Sequence, residues 1–198
     1  AMMLAFEEKK WDLDSRVKSF LPWYRHENTK IQDLLTHSSG LVWWKPFYKE
    51  LNIQDTWQNR REHLRKMIES INLDPQDMSV YSDVGFILLG FILEVFYQKD
   101  LVSIWNDVKE TFYHGTTLEF HPRNQTTIRP ALFAPTEECP WRKKLLQGEV
   151  HDENTWALGG ISTHAGLFGS VDDLGWYMLH LRSQILGIAR YQIKQKTT

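Results

Sequence analysis

VYSDVGFILLGFILEVF, residues 80–96, joins a short polar tripeptide directly to the most apolar run of a 198-residue chain. From Val84 to Phe96 only Gly85, Gly90 and Glu94 interrupt the apolar residues, so no solvent-facing stripe exists. A helix that is apolar all round is a buried helix. Thirteen residues fall short of the about 20 needed to cross a bilayer, so the run predicts the core helix of a soluble domain. Ser82 or Asp83 can cap its N-terminus. Tyr81 then stands just ahead of a helix fixed by its surroundings. In extended backbone, residues i and i+2 point the same way, so Tyr81 and Asp83 are expected to share one cavity.

Composition bounds what can surround that helix. With 42% hydrophobic and 13% aromatic residues, the chain can bury one sizeable core and is not disordered. The formal charge is -2, with acids and bases interleaved, so neither nucleic acid nor an anionic membrane surface is an expected partner. The runs Arg60-Arg61 and Arg142-Lys143-Lys144 read as solvated faces. Cys139 is the single cysteine, which excludes an internal disulfide. It reads as a small, partly buried, unreactive residue. No His-x-x-x-His or Glu-x-x-His spacing joins any of the eight histidines, so no metal site and no cofactor is expected.

Taken in order, Ala1-Met-Met-Leu-Ala-Phe6 runs into Glu7-Glu8-Lys9-Lys10 without a basic leader. It reads as a helix entered part-way along, not as a signal peptide. Thr29 is expected to cap a helix from Lys30 to His37 that ends at Ser38-Ser39-Gly40. His37 invites a pairing with those serines, but neighbours at a helix end do not face one another. The aromatic loop Trp43 to Tyr48 either lines a groove or roofs the core, and the roof is favoured because aromatics mostly bury. Amphipathic spacing predicts helices over Thr56 to Ser70 and Leu101 to Phe112. Thr116 to Pro140, which contains the formal sequon Asn124-Gln-Thr126, reads as an irregular arm with short strands. Leu145 to Asp152 is expected as a strand, Gly159 to Gly166 as a tight loop, and Val171 to Ile185 as a closing helix capped by Ser170.

Three segments carry a resemblance. Tyr81-Ser82-Asp83 with VGFILLGFILE resembles the Tyr-x-Asn element and following helix of class C-like serine β-lactamases and penicillin-binding proteins. Lys30 to Leu41, KIQDLLTHSSGL, is similar to the family's "hxDLLTHTSGL". Gly148 to Leu174, GEVHDENTWALGGISTHAGLFGSVDDL, is similar to "GxVHDxNAxxLGGxxGHAGLFSTxxDL". The three occur in the family's order across most of the chain.

The resemblance implies a single partial domain over residues 1–198, with a helical subdomain over about residues 10–185 and a polar tail over residues 186–198. The fold implied is mainly α with short strands, the helical portion of the α/β β-lactamase and DD-peptidase architecture. It makes Tyr81 the general base and Asp83 its neighbour in acyl transfer through serine, and places His164, Ala165 and Gly166 beside the substrate. The substrate implied is a β-lactam, a D-Ala-D-Ala peptide or an ester. Export to the bacterial periplasm, or attachment to the membrane, goes with the family.

Two departures qualify this. Leu4 to Pro22, LAFEEKKWDLDSRVKSFLP, resembles the exit of the helix that carries the family's Ser-x-x-Lys, which puts the nucleophile roughly two and a half turns before Ala1. No Lys-Thr-Gly or His-Thr-Gly follows Gly187. Ser15-Arg16-Val17-Lys18 matches Ser-x-x-Lys formally, but an exposed turn does not desolvate a lysine. The chain is therefore expected to lack its own nucleophile, and a non-catalytic helical domain that keeps the fold is the competing reading. Asp83 replaces an asparagine that both donates and accepts, and a carboxylate only accepts. It also raises a neighbouring phenol's pKa unless a cation neutralises it, which turns the expectation from amides toward esters. As a bare N-cap, Asp83 would have no catalytic duty. Helices expected to rest on a missing sheet would expose apolar surface and favour self-association.

Overall fold

The computed structural model describes residues 1–7, 11–74, 79–112, 115–121 and 132–188. The apolar run forms α5 (Asp83–Tyr97). Before it come α1 (Met2–Glu7), α2 (Val17–Phe20), α3 (Ile31–Leu35) and α4 (Trp57–Glu69). After it come α6 (Leu101–Phe112), α7 (Glu153–Ala157) and α8 (Val171–Ile185). Two short antiparallel pairs complete the picture: β1 (Glu119–Phe120) with β4 (Leu167–Phe168), and β2 (Glu138–Cys139) with β3 (Lys144–Leu145). The chain is mainly α with short strands, as its sequence predicts.

Burial follows the apolar pattern. Val84, Ile87, Leu88, Leu89 and Ile92 of α5 are buried against Ile31 and Leu34 of α3 and Leu64 and Ile68 of α4. Each such side chain stabilises the fold by about 1.5–3 kcal/mol. The two glycines of α5 admit close neighbours. Gly85 lies against Leu34, and a Cβ on Gly90 would sit 2.7 Å from Thr163 Oγ1. Thr163 donates its hydroxyl to the Phe86 carbonyl, which clips the loop after α7 onto the first turns of α5. Glu94, the one acid in the run, pairs with Arg61 of α4. Val95 is the exception to the buried pattern, with half its surface exposed.

Several local expectations change. Thr29 does not cap α3; its hydroxyl stands 3.3 Å from that of Tyr24, and the Asp33 carboxylate accepts the Lys30 N–H instead, at 2.8 Å. The helix stops at Leu35, and His37 takes a left-handed backbone, φ 56°. The strand expected over Leu145 to Asp152 shrinks to the β3 pair, and the residues after Asp152 form α7, whose first turn is held by Asp152 accepting the Thr155 N–H. Arg60 is buried rather than solvated and reaches the Ile53 carbonyl. The Arg142 side chain is likewise covered and donates to the Val150 and His151 carbonyls. Of the aromatic loop, Phe47 is a roof, fully buried, whereas Trp43 is exposed. Cys139 is a buried free thiol. The sequon at Asn124 and residues 189–198 of the polar tail lie outside the described residues.

The expected helix capped by Ser170 is α8 as drawn, with Asp173 completing a capping box. Its apolar side chains are uncovered: Val171, Leu174, Trp176, Met178 and Leu179 are all exposed.

Candidate active site

The tripeptide ahead of α5 is anchored on both sides. Ser82 is the cap: its hydroxyl accepts the Gly85 N–H at 3.2 Å and donates to the Val42 carbonyl at 2.7 Å. Its own N–H donates to His37 Nδ1 at 3.0 Å, and the Asp83 N–H donates to the Trp43 carbonyl at 3.0 Å. Asp83 is thus the first helical residue and not the cap. The extended backbone at Ser82 (φ -143°, ψ 116°) turns Tyr81 and Asp83 to the same side, as period two requires.

Tyr81 remains 61% exposed although its ring is held. The His37 imidazole lies 4.8 Å from it and stacks on Phe86 at 5.1 Å. The phenol's pKa is raised, first by its hydrogen bond to Asp83, then by burial and by the charges of Asp83 and Asp152. Asp83 therefore acts on Tyr81 as a carboxylate beside a phenol should, and works against the tyrosinate a base would need.

Asp152 and His164 belong to the same neighbourhood. His164 Nε2 stands 3.0 Å from Asp152 Oδ1 and 3.2 Å from Thr155 Oγ1, and its Nδ1 stands 2.8 Å from Ser162 Oγ. Burial opposes charge on Asp152, but the bond and charge of His164 and the Thr155 N–H outweigh it, and the carboxyl is held below its usual range. The His164 side chain is almost wholly buried against Asp152, and the residue also borders a cavity together with Ala165 and Gly166. One ligand atom each from Asp83, Asp152 and His164 lie within 4.8 Å of one another. No spacing rule could join residues 69 and 12 positions apart in sequence. His37 was equally hidden, since its partner Ser82 is 45 residues away.

Ala165 and Gly166 line a cavity of about 370 Å³ with Leu93, Ile104, Trp105 and His164. Tyr81 and Asp83 are not among its walls. The formal Ser-x-x-Lys is not a pair: Ser15 Oγ donates to Asp12 at 3.2 Å, and Lys18 Nζ bonds Glu27 at 2.6 Å.

A family model described as Beta-lactamase matches residues 1–195. The chain belongs to the beta-lactamase family. Within that family it is 29% identical over 199 residues to an N-acetylmuramyl-L-alanine amidase of Bacillus subtilis, a match covering 88% of this chain and 44% of the relative. It is 28% identical to a putative D-alanyl-D-alanine carboxypeptidase of Escherichia coli, covering 90% and 46% respectively. Among solved structures, the beta-lactamase/D-alanine carboxypeptidase of Pseudomonas syringae superposes with a TM-score of 0.66 at 14% identity, over 96% of this chain and 48% of that one. At that identity the likeness speaks for the fold, and the fold is the helical portion of the β-lactamase and penicillin-binding-protein architecture. The chain spans about half the length of the curated relatives it matches.

Proposed function

We propose that this chain carries the tyrosine side of the active site of a β-lactamase-related serine hydrolase. Its nucleophilic serine and lysine would come from a segment outside these 198 residues. The parent would form an acyl-serine intermediate on a β-lactam, a D-Ala-D-Ala peptide or an ester, with Tyr81 taking the serine hydroxyl's proton and later activating water. The observation that carries this reading is the exposed phenol of Tyr81, aimed by the Ser82 cap and the His37 ring and touching Asp83. The one formal Ser-x-x-Lys in the sequence is committed to other partners, so the isolated chain would acylate nothing. The names of the relatives, an amidase and carboxypeptidases, favour a cell-wall peptide as substrate.

Asp83 favours a second, non-catalytic reading as a retained helical domain. In this chain the phenol is raised by two carboxylates, and a base would require a nearby cation to reverse that. Incubating the 198-residue chain with a fluorescent penicillin or a fluorophosphonate separates the cases. No mass increase is expected, and a stoichiometric adduct on Ser15 would overturn the reading. The full-length gene product should acylate on an upstream serine; if it does not, the non-catalytic domain is the answer.

A further inference from the structure

We infer that Asp83, Asp152 and His164 form a binding site for one divalent transition-metal ion, of which zinc is the best-matched probe. Asp83 opens α5, Asp152 caps α7, and His164 sits in the loop bounded by Gly159, Gly160 and Gly166. One imidazole and two carboxylates make three protein ligands with coordination positions left open, the pattern of accessible rather than closed structural zinc sites.

The distances suit such an ion. Two ligands about 2.0–2.2 Å from a tetrahedral zinc stand roughly 3.4 Å apart, and the His164 Nε2 to Asp152 Oδ1 separation is 3.0 Å. Asp83, half-buried and hydrogen-bonded to the Tyr81 phenol, lies within 4.8 Å of both and closes the remainder by rotating its carboxylate. The outer contacts of a metal ligand are also in place. Ser162 Oγ engages His164 Nδ1 at 2.8 Å, which fixes the nitrogen that faces the carboxylates. The Thr155 N–H holds Asp152 Oδ1 at 2.6 Å.

Charge supplies a second argument, independent of spacing. Among the described residues no lysine or arginine pairs with Asp83 or with Asp152, and the basic group that does meet Asp152 is His164, itself one of the three proposed ligands. Two carboxylates facing one small space repel unless a cation stands between them. Asp83, moreover, stands where the Tyr-x-Asn element it resembles has asparagine, and a carboxylate there is a better cation ligand than a neutral amide.

Calorimetric titration of the full 198-residue chain with zinc chloride tests this, alongside cobalt(II) titration followed by absorbance. One ion per chain is expected, with affinity at least tenfold weaker in Asp83→Asn. That variant keeps the Ser82 cap, so its fold should persist by circular dichroism; His164→Gln is the second variant and should weaken binding equally. The other cluster of donors, Glu137, Cys139 and Glu153, is the control, and Cys139→Ser should leave binding unchanged. No saturable one-to-one binding, equal affinity in Asp83→Asn, or a cobalt–thiolate charge-transfer band would overturn the inference. None of those failures bears on Tyr81 as a base.

Discussion

The His37 imidazole accepts the Ser82 N–H on Nδ1 at 3.0 Å and lies 4.8 Å from the ring of Tyr81. One side chain from the end of α3 thereby sets both the entry of α5 and the direction of the phenol. Its left-handed backbone, φ 56°, is a conformation that asparagine and glycine tolerate better than most residues. His37→Ala leaves a buried N–H without a partner and strains the backbone, so a loss of about 1–3 kcal/mol is expected in urea unfolding. His37→Asn, which keeps an acceptor and the backbone conformation, should lose less.

Glycine replacements give a graded series. A Cβ at Gly166 would sit 2.5 Å from the Gly160 carbonyl oxygen, on a backbone at φ 110°. Gly166→Ala should be the most damaging, because a backbone carbonyl cannot swing away. Gly90→Ala, 2.7 Å from the Thr163 hydroxyl, should cost about 1–3 kcal/mol through overpacking. Gly175→Ala on α8 meets open space and should stabilise by about 0.5–1 kcal/mol through helix propensity. Thermal unfolding of the three variants checks the order.

Asp173 is expected to contribute acid-sensitive stability. Its carboxylate accepts from the Thr116 hydroxyl at 2.7 Å, the Thr117 N–H at 2.8 Å, and the Ser170 N–H and hydroxyl at 2.9 and 2.7 Å. The Thr116 hydroxyl and the Thr117 hydroxyl, which also donates to this carboxylate, lead in holding its pKa far below the ordinary 3.8. A carboxyl depressed in the folded state contributes stability that is present above its unfolded pKa and lost as pH falls below it. Unfolding free energy measured from pH 6 to pH 2 should therefore drop below about pH 4, and Asp173→Asn should be less stable at pH 6 with a flatter acid limb.

The exposed apolar side chains of α8 predict self-association. Trp176 is 71% exposed, and Val171, Leu174 and Leu179 of the same helix are exposed with it. Sedimentation velocity should show concentration-dependent association, and Trp176→Glu should shift the distribution toward monomer. Identical sedimentation of the two proteins would contradict this.

The legibility of the sequence followed chemistry that is local. The apolar run at 84–96 and the Ser170 cap both act through neighbours in the chain, and α5 and α8 appear where that pattern places them. Tyr81 and Asp83 share a side because the backbone between them is extended. Arg60 and Arg142 were misread as solvated because the carbonyls they reach belong to loops without a sequence signal. The meeting of Asp83, Asp152 and His164 depends on the loop through Gly159 and Gly160, whose left-handed backbones, φ 100° and 93°, fold His164 back onto the cap of α7. Glycines mark such a turn but do not say what it brings together. Ala165 and Gly166, grouped with Tyr81 by resemblance, face a cavity that Tyr81 does not line.

In the proposed mechanism the Tyr81 phenol serves a hydroxyl supplied by another part of the parent protein. The most direct test is turnover of the full-length gene product with Tyr81 replaced by Phe, using a chromogenic β-lactam and a D-Ala-D-Ala peptide as substrates. A fall of about a hundredfold or more, with folding intact, is the scale of a lost general base. Turnover equal to that of the unaltered enzyme would remove Tyr81 from the mechanism.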